Sequence, residues 1–221
     1  MGLKESGLRG SLRSVSTRVP AIPDSVVHHF PMDEGSGDNI NDAEGDVVGS
    51  ISGADWITDP YGLSFDGVDD YVNISGIDAE GSSHTILYWI QYFDGDRIFD
   101  TQNGGRYIHR GDQSSNSDFT VFSGGDDRDP SPSVDLSSDW QHVGVVNDDD
   151  DGEYTIYIDG DESATGDYFT EEIDDSWDSI LGSSSNTFGS GASEMDMRDF
   201  MVANEALTDD EIESIYNATS K

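Results

Sequence analysis

Residues 139–160 read DWQHVGVVNDDDDGEYTIYIDG. In the second half, Tyr154, Ile156 and Ile158 alternate with Thr155, Tyr157 and Asp159. That two-residue period is the mark of a half-buried β-strand. His142–Val146, just ahead, is a second run rich in valine. The acid run Asp148–Asp151 and Gly152 separate the two. Two apolar runs joined by a short polar loop with glycine predict a β-hairpin, with Asp148–Asp151 as its solvated tip.

The same signal repeats in both directions at intervals of roughly 8–15 residues, with turn residues between. Strands are expected at Val26–Met32, Val47–Ser52, Leu63–Phe65, Tyr71–Ile74, Thr85–Tyr92 and Arg97–Asp100. Further ones are expected at Arg106–His109, Phe119–Phe122, His142–Val146, Tyr154–Ile158, Ser179–Leu181 and Met195–Val202. Proline is confined to the connectors, as a strand ladder requires. One helix closes the chain. Thr208 followed three residues later by Glu211 is a capping box, and Ile212, Ile215 and Tyr216 fall on one helical face, so Thr208 to Asn217 is read as helix. The expected architecture is all-β, an antiparallel two-sheet jelly-roll sandwich with one short C-terminal helix.

Charge divides the chain. The 221 residues carry 47 acids and 10 bases, a net of −37. Residues 1–23 hold Lys4, Arg9, Arg13 and Arg18 against Glu5, a net of +3, whereas residues 24–221 hold 6 bases and 46 acids, a net of −40. Two domains are read from this: a basic anchoring arm, 1–23, and a globular domain, 24–221. Self-repulsion on this scale destabilises a compact state in dilute buffer. At molar salt the screening length falls to about 3 Å, and the repulsion fades. Two lysines against eight arginines fit the same picture of a protein from a high-salt environment. A surface this acidic meets nucleic acid as like charge, so no nucleic-acid partner is expected. The absence of cysteine excludes disulfides, thiolate metal sites and cysteine nucleophiles. No stretch approaches the roughly 20 apolar residues of a membrane span. Residues 1–19 lack a signal-peptide core, which points to a protein made and kept in the cytoplasm, or one that leaves as part of a particle assembled there.

Four segments in register carry a resemblance. VVHHFPMDEGSGDNINDAEG (26–45), LSFDGVDDYVNI (63–74), the hairpin 139–160 and DMRDFMVANEALTDDEIESIY (196–216) resemble the concanavalin A-like, laminin G-like jelly-roll family. The likeness covers about residues 26–217. It implies a domain that binds glycans, proteins or surfaces, often with a bound calcium. Fold by itself does not assign activity.

The turn Asp66-Gly67-Val68-Asp69-Asp70 has two readings. Its carboxylates can cap the backbone amides of the turn. They can also hold calcium, or magnesium, which prefer hard oxygen ligands. Asp66, Asp69 and Asp70 are then the ligands, with Asp33 as neighbour. Among the aromatics, Trp89 and Trp140 lie in strand patterns and are expected in the core, whereas Trp56, Tyr61, Tyr168 and Trp177 lie in loops and are the candidate sugar platform. Glu194-Met195-Asp196-Met197-Arg198-Asp199 resembles the Glu-x-Asp-x-x-Glu strand of concanavalin-like β-glucanases, with Asp199 one methylene short of the third acid. The five histidines are spread over different strands and show no zinc spacing.

These features together point to a non-catalytic binding protein. The expected setting is the surface of a halophilic archaeal virus, as a capsid decoration or turret subunit or a tail fibre or baseplate component. The arm residues Lys4, Arg9, Arg13 and Arg18 would hold it to other virion proteins. The jelly roll would face host glycan or surface glycoprotein, as a homo-oligomer without membrane insertion. A cellular lectin or adhesin module is the alternative, and a glycoside hydrolase the third.

Overall fold

The structure is a computed structural model, and it describes residues 22–79, 83–101, 107–111, 118–123, 133–167, 178–184 and 191–220. Strands β1 (Val26–Phe30), β2 (Asn39–Asn41), β3 (Val48–Ser52), β4 (Asp55–Thr58), β5 (Tyr61–Asp66) and β6 (Tyr71–Ser75) come first. Next come β7 (His84–Asp94), β8 (Arg97–Thr101), β9 (Tyr107–Gly111), β10 (Asp118–Ser123) and β11 (Val134–Asp135). The chain ends with β12 (Gln141–Asp148), β13 (Glu153–Ile158), β14 (Asp161–Asp167), β15 (Asp178–Leu181), β16 (Glu194–Ala203) and helix α1 (Asp209–Thr219).

The strands form two antiparallel sheets. One runs β14-β13-β12-β7-β16-β5-β4, with β1 also pairing with β16, and the other runs β11-β10-β9-β8-β15-β6-β3-β2. This is the expected jelly-roll sandwich. The opening hairpin is β12–β13, with Val145 opposite Ile156. All twelve strands expected from sequence are present. The four missed, β2, β4, β11 and β14, are the strands that end the two sheet paths. An edge strand pairs on one side and is partly solvated, so it needs no apolar run to hold its place.

The core lies between the sheets. Ile86, Tyr88, Ile90 and Tyr92 of β7 point inward and meet Phe99, Phe119, Phe200 and Leu181. Helix α1 covers the opposite face of the first sheet. There Ile212, Ile215 and Leu207 pack on Leu87, Val146, Tyr157 and Met201. Hence β7 is buried on both faces. The helix starts as the capping box predicts: the Glu211 carboxylate accepts from the Thr208 backbone N–H (2.9 Å) and hydroxyl (2.8 Å). Its last turn carries no basic residue of its own.

Candidate functional site

Strand β16 changes partner halfway along. Glu194–Met197 pair with β5, and Phe200–Ala203 pair with β1. The register against β7 slips between Arg198 and Met201. The burial pattern records the slip: Met195 and Met197 enter the core, and then Phe200 and Val202 do, so the alternation restarts one residue late. That is a β-bulge. Asp199 sits in it with φ +52°, the left-handed region that residues other than glycine rarely occupy. Bulges re-aim side chains and recur beside functional sites.

A cleft opens at this bulge. It is made of two adjoining hollows of about 300 and 370 Å³, which share Asp59, Pro60 and Arg198. The segment after β1 contributes Pro31 and Asp33, the β4–β5 turn contributes Asp59 and Pro60, the start of β5 contributes Tyr61, and the end of α1 contributes Thr219 and Ser220. The turn is a two-residue connection, with Thr58 paired to Tyr61 and a cis Asp59–Pro60 peptide. Gly62 runs so close to β16 that a Cβ there would come within 2.6 Å of the Met197 carbonyl oxygen. This close approach seats the turn over Arg198.

Arg198 organises the cleft. Its guanidinium carbon lies 4.6 Å from the Trp89 ring centroid and 5.5 Å from that of Trp140. Such stacking on indole is favourable for a guanidinium. Its Nη1 donates to Asp199 Oδ2 (2.6 Å) and to the Thr219 carbonyl (3.0 Å). The second bond supplies the cation that the end of α1 lacks. Trp89 anchors the same turn, donating from Nε1 to Thr219 Oγ1 at 2.8 Å, and stacks on Tyr216. On the far side, Asp199 Oδ1 lies 3.1 Å from Nε2 of His29.

The expected aromatic sites divide. Tyr61, expected in a loop, is instead the first residue of strand β5, where pairing with Thr58 extends the ladder; it is 53% exposed and lines the cleft. Trp56 is not in a loop: it belongs to edge strand β4, half-buried, with Nε1 bonded to the Gly37 carbonyl at 2.8 Å. Its strand was missed because a four-residue edge segment with two polar ends has no periodic signal. Trp89 is buried, but under α1 rather than between the sheets, and Trp140 precedes β12 and lines the cleft half-buried. Trp89 is thus in the core as expected, and the expectation for Trp140 is corrected. Strand periodicity shows which residues share a face, and only the docked helix shows what covers that face. Tyr168, Trp177, Lys4, Arg9, Arg13 and Arg18 lie outside the described residues. Sequence reasoning missed Arg198 as a site residue. The signal for it, an arginine among alternating acids on a core strand, was present but was read for its carboxylates.

The aspartate turn has converged. Single oxygens of Asp66, Asp69 and Asp70 lie within 4.8 Å of one another. Asp33 is not part of this group and instead lines the Arg198 cleft. Asp66 Oδ1 accepts the Val68 N–H (2.8 Å), and Asp70 Oδ2 accepts the Asp66 N–H (2.9 Å). Two of the three carboxylates therefore cap the turn. Burial pushes the Asp70 pKa up; the Asp66 backbone hydrogen bond opposes this, and the charges of Asp66, Asp69 and Asp55 add to the rise. The donor set is all hard oxygen, the kind calcium takes, and calcium takes 6–8 such ligands.

A family model for the concanavalin A-like lectin/glucanases superfamily matches residues 66–213. The chain belongs to this superfamily. No curated protein sequence matches it. Among solved structures, it is similar to a Trypanosoma rangeli sialidase in complex with 2,3-difluorosialic acid, with a TM-score of 0.69 at 16% identity over 89% of this chain. It is also similar to the binding domain of botulinum neurotoxin DC in complex with rat synaptotagmin II, with a TM-score of 0.66 at 16% identity over 89%. The botulinum neurotoxin serotype D binding domain gives a TM-score of 0.68 at 12% identity over 90%. The chain spans 33% of the sialidase and 52–53% of the two toxin domains. At such identities the likeness is one of fold. This concanavalin A-like frame thus occurs in a glycosidase and in binding domains alike.

Proposed function

We propose that the protein is a non-catalytic, glycan-binding module that works at molar salt. We further propose that it is a surface subunit of a halophilic archaeal virus. The observation that carries the binding reading is the cleft at the β16 bulge, where exposed Tyr61 and half-buried Trp140 stand beside Asp33 and Asp59. Aromatic faces take the apolar side of a sugar ring, and carboxylates accept its hydroxyls. Membership of a lectin-containing superfamily supports the same reading. Against hydrolysis stands the engagement of Asp199. A retaining glycosidase needs two free carboxyls about 5–5.5 Å apart. The third acid of the glucanase-like strand, Asp199, is held by Arg198 and His29.

The virion setting rests on charge: residues 1–23 carry +3 and the rest of the chain −40. A basic segment with Lys4, Arg9, Arg13 and Arg18 would hold the domain to an acidic assembly of other virion proteins or of its own copies. Asp66, Asp69 and Asp70 are the position at which calcium or magnesium would bind. Two experiments test the proposal. Quantitative mass spectrometry of purified particles should find the chain at many copies, and finding it only in cells overturns the virion setting in favour of a cellular lectin. A glycan array read in molar salt should show binding that Tyr61→Ala removes. An array blank for the parent protein overturns glycan recognition.

A further inference from the structure

The cleft contains a buried hydrogen-bond donor that the fold leaves unused. Arg198 is 9% exposed, yet it lines both hollows. Both hydrogen bonds described for its guanidinium leave from Nη1. Its Nε is buried and has no hydrogen-bond partner. Leaving a donor of a charged group buried and unpaired is costly, and such groups call for an explanation.

Geometry limits what that explanation can be. A guanidinium is a rigid planar fork, and its Nε/Nη2 edge is one of those that receive a carboxylate at two points. Here the plane is held by Trp89 on one ring and Trp140 on another, and Nη1 is pinned by Asp199 and Thr219. Nε is therefore held in place and unpaired. Asp199 reaches its position only through a left-handed backbone in the bulge, a conformation that costs energy and persists where surrounding structure enforces it. A ligand with one carboxylate on a ring fits these walls. Its ring would lie against Trp140 and Pro60, and its hydroxyls would face Asp33 and Asp59.

We propose that the cleft binds an acidic sugar, with the sugar carboxylate received on the Nε edge of Arg198. This rests on the glycan-binding reading above and adds the class of sugar. The nearby Asp33 and Asp59 repel such a ligand in dilute buffer, and molar salt screens that repulsion to within about 3 Å.

The test uses the full chain in roughly 3 M KCl. Trisaccharides bearing glucuronate or galacturonate are compared by calorimetry with their methyl esters, which keep the ring and lose the charge. The arginine side-chain Nε–H resonances are followed by NMR. The expected result is at least about tenfold tighter binding of the acid than of the ester, the loss of a two-point charged contact, with the Arg198 Nε signal moving only for the acid. Arg198→Lys keeps the charge without the fork and should abolish the preference, while Trp140→Ala should weaken both ligands. Equal affinity for acid and ester overturns the acidic-sugar inference and leaves glycan binding standing. The same holds for acid binding that leaves the Nε signal unmoved, and for an array that responds only to neutral glycans. Failure of every glycan overturns both. Because the acid–ester contrast is made on the parent protein, a variant that fails to fold leaves the test intact.

Discussion

The phenol of Tyr88 and Nδ1 of His109 share a hydrogen bond of 2.9 Å between the two sheets. Phe99 and Phe119 meet the same imidazole edge-on. Burial lowers the His109 pKa to about 3, and proximity to His84 pushes the same way. His142, buried beneath Trp89 and Tyr216, is lowered to about 4, again by burial first. Both rings are therefore neutral in the folded state, and both gain a proton more readily on unfolding. Stability contributed this way is present above the unfolded value of 6.5 and is lost as pH falls below it. Each histidine should cost about 2 kcal/mol between pH 6.5 and 5. Thermal melts across that range should show a slope that His109→Gln reduces by one proton. An unchanged slope in the variant would refute the assignment.

The aspartate turn titrates in the opposite sense. The Asp70 pKa is raised above 3.8 in the folded state. The native form thus favours the protonated acid, and stability falls as pH rises through that window. Asp70→Asn keeps an acceptor for the Asp66 N–H and removes one charge of three. It should raise the melting temperature at neutral pH by roughly 2–4 °C, corresponding to about 1 kcal/mol. Calcium should stabilise the parent and have little effect on the variant. Equal calcium responses would show that the ion binds elsewhere.

Gly53 makes the same turn intolerant of a methyl group. Its φ is +87°, and a Cβ would overlap Asp70 Oδ1. Gly53→Ala should cost about 2 kcal/mol or more, from the strained backbone and the displaced carboxylate together. Guanidinium denaturation of the two proteins measures it.

Net charge sets the salt response. As salt is lowered from several molar to about 0.1 M, the screening length grows to about 10 Å and repulsion among the acids returns. Far-UV circular dichroism should show loss of strand signal, partly restored by millimolar calcium or magnesium through binding to the native state. A domain fully folded at low salt would contradict the argument from composition.

The helix start offers a smaller, local test. Glu211→Ala removes the acceptor for both Thr208 bonds. Its expected cost is about 1 kcal/mol, typical of a lost cap.

Much of this was legible in the chain. The alternation in Tyr154–Ile158 and its repeats fixed the strand class, because a side-chain period of two survives only where one face is buried. The capping box located the start of α1 to within a residue, since its signal is local. Residues 66–70 announced a turn rich in carboxylates, since that chemistry lies within five positions. Strands β2, β4, β11 and β14 left no trace, because their place comes from a neighbour's free backbone groups and not from their own apolar residues. The Arg198 cleft was likewise silent in sequence. Arg198 follows Asp59 by 139 positions, and only the switch of β16 from β5 to β1 brings the β4–β5 turn, the bulge and the end of α1 together. Sequence alone determined the periodicities, the turns and the charge. Tertiary structure decided which buried donor was left without a partner, because a hydrogen-bond deficit is a property of the whole packing around an atom and not of the residues next to it in the chain.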